Sequence, residues 1–186
     1  MSITAHTDNN PGIAPGVWTI DPSHSTVGFV VRHLMVAKVR GRFGAFTGTV
    51  TIADNVLDSR LEASVEMTSV DTGDAGRDSH IRGGDFFDVD TFPAMTFVST
   101  SLEAAGGDYA LHGNLTIKGV AKPVTFALAF DGIATDPWGN TKAGFSATAE
   151  INRKDWGIEW NAALEAGGVL VGEKVKIQLD IEAAKV

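Results

Sequence analysis

From Val17 onward, apolar and polar residues alternate along the chain with a period of two. That period puts successive side chains on opposite faces of a β-strand. In "RLEASVEMTSV" (60–70), Leu61, Ala63, Val65 and Met67 face one way, and Glu62, Ser64, Glu66 and Thr68 the other. The same rule aligns Tyr109, Leu111, Gly113, Leu115 and Ile117, then Val124, Phe126, Leu128 and Phe130. It also aligns Ala143, Phe145, Ala147, Ala149 and Ile151, and finally Val175, Ile177, Leu179 and Ile181. Strands with one apolar and one polar face belong to antiparallel sheets that are wet on one side. Turn signals separate them at Asp54-Asn55, Gly106-Gly107-Asp108, Asp131-Gly132 and Pro137 to Asn140. A meander of about eight such strands closes most naturally into an up-and-down barrel, because closure removes unpaired edges. The predicted fold is therefore all-β and antiparallel.

One stretch breaks the alternation. Asp71 to Pro93 is too long for an ordinary connection and predicts structure of its own, a short helical insertion over about 74–90. Asp74 can cap a helix starting at Ala75. Asp78 and Arg82 sit at i and i+4 in the favourable order, and Gly83-Gly84 stops the helix. Asp85 can cap a second turn carrying Phe86 and Phe87. Such a plug would cover one barrel mouth with its aromatics turned inward. Residues 1–16, rich in Pro, Gly, Asn and Thr, read as a flexible tail. Residues 17–186 read as one domain.

Composition narrows the chemistry. The chain has 186 residues, a net charge of −8 and no cysteine, which excludes disulfides, thiol catalysis and cysteine-ligated metals. Arg32, Lys38, Arg40 and Arg42 form its one basic cluster, read as a solvated strand edge, so no nucleic-acid partner is expected. No apolar run approaches the ~20 residues of a spanning helix. The N-terminus has no basic and apolar leader segments, which predicts a soluble, cytoplasmic protein.

The five histidines show no HExxH or HxH spacing. A three-histidine site from His33, His80 and His112 would need His112 to leave the polar face of its strand, so no metal is expected. "RDSH" places Ser, His and Asp as neighbours on one helix, where they do not face one another. No GxSxG, GxGxxG or P-loop occurs, and no catalytic residue or cofactor is expected. An eight-stranded barrel can be filled by side chains or can hold one small ligand. Patterning alone favours the filled barrel, since Ala63, Gly113, Ala147 and Ala149 interdigitate with Phe97, Phe126 and Phe145. The face Ser25, Val27, Phe29, Val31, His33 ends in a histidine, which suits either a core histidine or the polar handle of a pocket.

Four blocks, in order, carry a family resemblance: "WTIDPSHSTVGFVVRHLMVAKVRGRFGAFTGTV", "RDSHIRGGDFFDVDTFP", "LTIKGVAKPVTF" and "DPWGNTKAGFSATAEINRKDWGI". Together they resemble the YceI-like family from about Trp18 to Glu182. The resemblance implies a lipocalin-like barrel with a helical insertion. It also implies an internal pore for a polyisoprenoid, isoprenoid quinone or similar amphiphilic lipid, and a homodimer. Val27, Phe29, Val31, Phe97, Leu115, Phe126, Leu128, Phe145 and Ala147 then become the pore wall, and Phe86 and Phe87 the inner surface of its lid. His33, Arg77, His80 and Arg82 become candidates for meeting a head group. Trp156 and Trp160 are expected to seal a barrel end. The competing reading is a hydrolase or isomerase acting on an apolar substrate in the same pocket, with His33 or His80 as acid/base.

Overall fold

The computed structural model describes residues 10–186. In chain order its elements are β1 (Gly16–Ile20), β2 (Thr26–His33), β3 (Ala37–Phe43), β4 (Phe46–Ile52), β5 (Arg60–Glu66) and β6 (Val70–Asp71). Helix α1 (Ala75–Arg82) follows, then β7 (Ala94–Ala105), β8 (Asp108–Ile117), β9 (Val120–Thr135), β10 (Thr141–Asn152) and β11 (Val171–Lys185). Every strand pairing is antiparallel. The order β1-β4-β5-β7-β8-β9-β10-β11 closes through β1–β11, a barrel of eight strands. No helix among the described residues is long and apolar enough to cross a membrane.

The remaining strands are explained by breaks. β1 and β2 form one stave interrupted by a 3-10 turn at Pro22–His24, where proline cannot donate to a ladder. β3 and β4 form a second, interrupted at Gly44 and Ala45, and β5 and β6 a third, interrupted at Met67–Ser69. Long β11 bridges the first break, pairing with β2 through Val171–Asp180 and with β1 through Ala183–Lys185.

The third break leaves an opening. β6 pairs with β3 only at Asp71–Arg42 and Val70–Phe43, and no strand among the described residues takes its other edge. Helix α1 fills that place. Its Asp74 side chain accepts from the Arg77 N–H at 2.8 Å, the cap expected from sequence. The expected Asp78–Arg82 pair does not form, because both side chains serve the β6 edge instead. Asp78, 6% exposed, accepts from the backbone N–H and hydroxyl of Thr72. Arg82 donates to the carbonyls of Thr68 and Val70, both at 2.9 Å. The helix ends at Gly83 in an extended conformation (φ −74°, ψ 178°), not in the left-handed one.

Two other expectations are corrected. Asp131-Gly132 is no turn: β9 runs through it to Thr135, and the pairing with β10 shifts register beside Gly132 (φ +126°). Asp-Gly also suits a β-bulge, where glycine supplies the positive φ; Asp136–Asn140 makes the connection. The tail expected over 1–16 lies outside the described residues for 1–9. Beyond them the chain is anchored: Ile13 is 2% exposed among Trp18, Ile52, Val56, Ala143 and Ala183. Trp18 Nε1 donates to the Ala14 carbonyl at 3.1 Å.

Close packing of the wall fixes some small residues. A Cβ on Gly113 would lie 2.3 Å from Phe97 Cζ and 2.6 Å from the Val98 carbonyl oxygen. Gly113→Ala should therefore cost about 1–3 kcal/mol in urea unfolding, since the backbone oxygen cannot step aside. On the rim, Lys142 Nζ bridges Asp21 (3.0 Å) and Glu182 (3.2 Å), and His24 Nδ1 lies 3.0 Å from Asp21. Hydrogen bonds from the Ser23 hydroxyl, His24 and Lys142 hold Asp21 well below the usual carboxylate range. Asp21 in turn raises the His24 pKa. The imidazolium therefore contributes stability that is fully present below its ordinary value, about 6.5. That contribution is lost as pH rises through the raised one. The thermal midpoint of the wild type should exceed that of His24→Asn most at mildly acidic pH, and the difference should close as pH rises through the raised His24 pKa.

Candidate functional site

The inward rows do not fill the barrel. A cavity of about 410 Å³ runs through it, walled by Val27, Phe29, Val31, Phe97, Leu115, Phe126, Leu128, Phe145 and Ala147, among others. The small residues divide between two roles. Gly113 is covered by the Phe97 ring, as interdigitation requires, while Ala63 and Ala147 face open space. Phe97 stands edge-on to Phe126 with centroids 5.3 Å apart, and Phe130 and Phe145 are 5.5 Å apart, so the wall is itself packed.

The two ends differ. At one, Pro11 and Ile13 reach the cavity, and Ile13 is buried there. This was missed from sequence because an isolated isoleucine between prolines and glycines reads as linker. At the other end lie the helical insertion, the β2–β3 hairpin and the connection from β10 to β11. There His80, Phe86 and Trp160 form a ring cluster, with His80 edge-on to Phe86 at 5.1 Å and to Trp160 at 4.7 Å. Phe86 and Trp160 are 5.4 Å apart, and all three reach the cavity. His80 Nε2 is 2.8 Å from Asp85 Oδ2, which fixes the imidazole. Phe87 packs on Phe43 at 6.1 Å. The aromatics of the insertion thus lie across this end, joined by Trp160, while Trp156 is buried and donates from Nε1 to the Leu115 carbonyl at 3.0 Å.

Polar groups on the wall are sparse and one-sided. Arg32, His33, Arg60, Arg77, His80 and Arg153 reach the cavity, and no aspartate or glutamate of the described residues does. Arg77 braces the insertion, donating from Nε to the Thr72 hydroxyl at 2.7 Å and from Nη2 to its carbonyl at 2.9 Å. Arg82 does not reach the cavity, for its guanidinium is spent on the carbonyls around β6.

Arg153 was not anticipated. It is 4% exposed and donates to the carbonyls of Ile158 (2.7 Å), Gly172 (2.9 Å) and Val171 (3.4 Å). Burial pushes its pKa below the usual guanidinium value, with Glu173 opposing. Its signal was present in the sequence: Arg153 continues the inward row Phe145, Ala147, Ala149, Ile151 by two.

Metal-type chemistry lies elsewhere. His112 pairs with Thr125 (2.7 Å) and lies 3.6 Å from Glu103, apart from His33 and His80 on the cavity wall. Among the described residues the one grouping of ligand-type side chains is Asp21, His24 and Glu182 at the rim, which Lys142 already bridges.

Comparison with known proteins agrees with the barrel and its insertion. The family model for the YceI-like domain matches residues 18–183. A UPF0312 protein of Staphylococcus aureus (strain MSSA476) is 38% identical over 169 residues, covering 89% of this chain and 95% of the relative. BcnA of Burkholderia cenocepacia superposes with a TM-score of 0.73 at 25% identity, over 88% of this chain and 98% of that one. A polyisoprenoid binding domain from Saccharophagus degradans shares the fold at 16% identity, with a TM-score of 0.70, over 91% of this chain and 98% of that one. The chain belongs to the YceI-like family.

Proposed function

We propose that this protein binds, without catalysing a reaction, one long-chain amphiphile such as a polyisoprenoid or isoprenoid quinone, for carriage, storage or protection. The observation that carries this reading is the cavity. Its volume of about 410 Å³ falls in the range of ligand sites. A long apolar chain that fills it gains roughly 25 cal/mol for each Å² of apolar surface it buries. The description of the Saccharophagus degradans neighbour as a polyisoprenoid binding domain supports the same class of ligand.

The wall also favours one kind of head group. A wall that carries arginines and His33 and no carboxylate suits an acidic or oxygen-rich head, and Arg153 in particular is a buried cation hydrogen-bonded only to carbonyls. His33 and Arg77 lie at the same end, beside the aromatic cluster. An enzyme in this cavity would need His33 or His80 as acid or base. His80 is held by Asp85 and two aromatic edges, which favours a positioning role.

Mass spectrometry of an organic extract of the protein, purified without detergent, should find a long-chain amphiphile at near-stoichiometric amount. An extract that stays blank after incubation with host lipids would refute the reading. In probe displacement, a long-chain carboxylic acid should outcompete the alcohol of equal length by about tenfold or more, the scale of a charge-assisted hydrogen bond. Ala147→Phe should block uptake while raising the stability of the ligand-free protein by roughly 2 kcal/mol, because it fills void instead of displacing neighbours. A loss of both would mean that the site is packed.

A further inference from the structure

The β2–β3 hairpin breaks three local rules at its tip. First, its turn runs from His33 to Val36, closed by the Val36 N–H on the His33 carbonyl at 3.2 Å. Both central residues have positive φ, Leu34 at +53° and Met35 at +62°. Such a turn ordinarily takes Asn-Gly, and large aliphatic side chains are strained there. Second, the three tip residues are apolar and exposed: Leu34 by 41%, Met35 by 56% and Val36 by 80%. Third, Arg32 and Lys38 are directly opposite each other across the two strands, a repulsive like-charge pair. Arg40 follows on β3, and no carboxylate among the described residues pairs with Arg32, Lys38 or Arg40. In a chain of net charge −8, residues 32–42 hold four cations and no acid. Local conflicts concentrated in one place mark function more often than accident.

The tip also belongs to the cavity's mouth. Arg32, His33 and Val39 reach the cavity. The Leu34 N–H donates to the Leu170 carbonyl at 2.9 Å, and Leu170 is another wall residue.

We propose that this hairpin tip docks the protein on an anionic lipid bilayer, with Leu34, Met35 and Val36 entering the interface and Arg32, Lys38 and Arg40 meeting the headgroups. The chemistry is that of interfacial membrane binding, apolar insertion flanked by cations. A bilayer fits better than a protein partner, because a three-residue tip cannot supply the roughly 800 Å² per side of a stable interface. The placement sets the mouth of the cavity against the phase that holds water-insoluble amphiphiles. The docking stands on the hairpin alone, and the transfer it serves rests on the ligand reading above.

Flotation with vesicles of phosphatidylcholine, with and without a minor fraction of phosphatidylglycerol, tests it. The wild type should float with the anionic vesicles, and added salt should release it. Lys38→Ser/Arg40→Ser, at two residues outside the cavity lining, should weaken that retention by about tenfold or more. Leu34→Asn/Met35→Gly should abolish it while raising the thermal midpoint, since Asn-Gly relieves the turn; a rise together with the loss separates docking from folding. Retention unchanged by that double variant, or no retention of the wild type on either vesicle, would overturn the proposal. So would a wild-type dimer in sedimentation that the same variant dissociates, which assigns the tip to a second copy. Uptake of an anthroyloxy fatty acid delivered from ethanol should stay at the wild-type level in both variants. If the wild type itself takes up none, the ligand reading fails and the flotation result stands by itself.

Discussion

The exposed edge of β6 organises one end of this molecule. A strand that stops after two residues leaves carbonyls and N–H groups that a closed barrel elsewhere pairs with a neighbour. Here side chains replace the neighbour. Arg82 takes the carbonyls of Thr68 and Val70, and Asp78 takes the N–H of Thr72. Those bonds fix α1 where a further stretch of strand would have been. The helix then delivers Phe86 and Phe87 to the cavity and sets His80 against Trp160. A fully paired ring would have had no such opening, and the aromatic cluster would have had nothing to cover.

The interior follows from a second constraint. Eight strands enclose a space that large side chains can nearly fill, and the packing shows where they do. Phe97 over Gly113 is solid packing, while Ala147 leaves a step in the wall. The charges that reach this space are of one sign, although the protein as a whole carries the other. Arg153 keeps its charge inside by leaning on three carbonyls that themselves shape the connection from Arg153 to Val171. One residue therefore ties the geometry of the mouth to the electrostatics of the cavity.

The strand faces were legible in the sequence because period-two patterning is a direct consequence of burying one face. The capped helix after Asp74 was legible because its cap is local. What escaped was set by tertiary context. The roles of Asp78 and Arg82 depend on an edge 10 or so residues away that only the broken stave exposes. Asp131-Gly132 carries the same local signal whether it turns the chain or bulges a strand. Solid core and cavity differ by a few methyl groups summed over many strands, a difference no single alternation encodes. Ile13 went unnoticed because one buried residue has no period.

The segment from Asn10 to Ala14 gives the barrel a direction. A tube open at both ends could be threaded from either side and could hold its contents in two orientations. Here one end is occupied by the chain's own segment, with Ile13 seated among Trp18, Val56 and Ala183. On the amphiphile-binding reading proposed above, a guest would lead with its greasy tip and leave its polar end at the lip. Length would then become a ruler: a molecule shorter than the cavity would vanish into it, and a longer one would protrude head first.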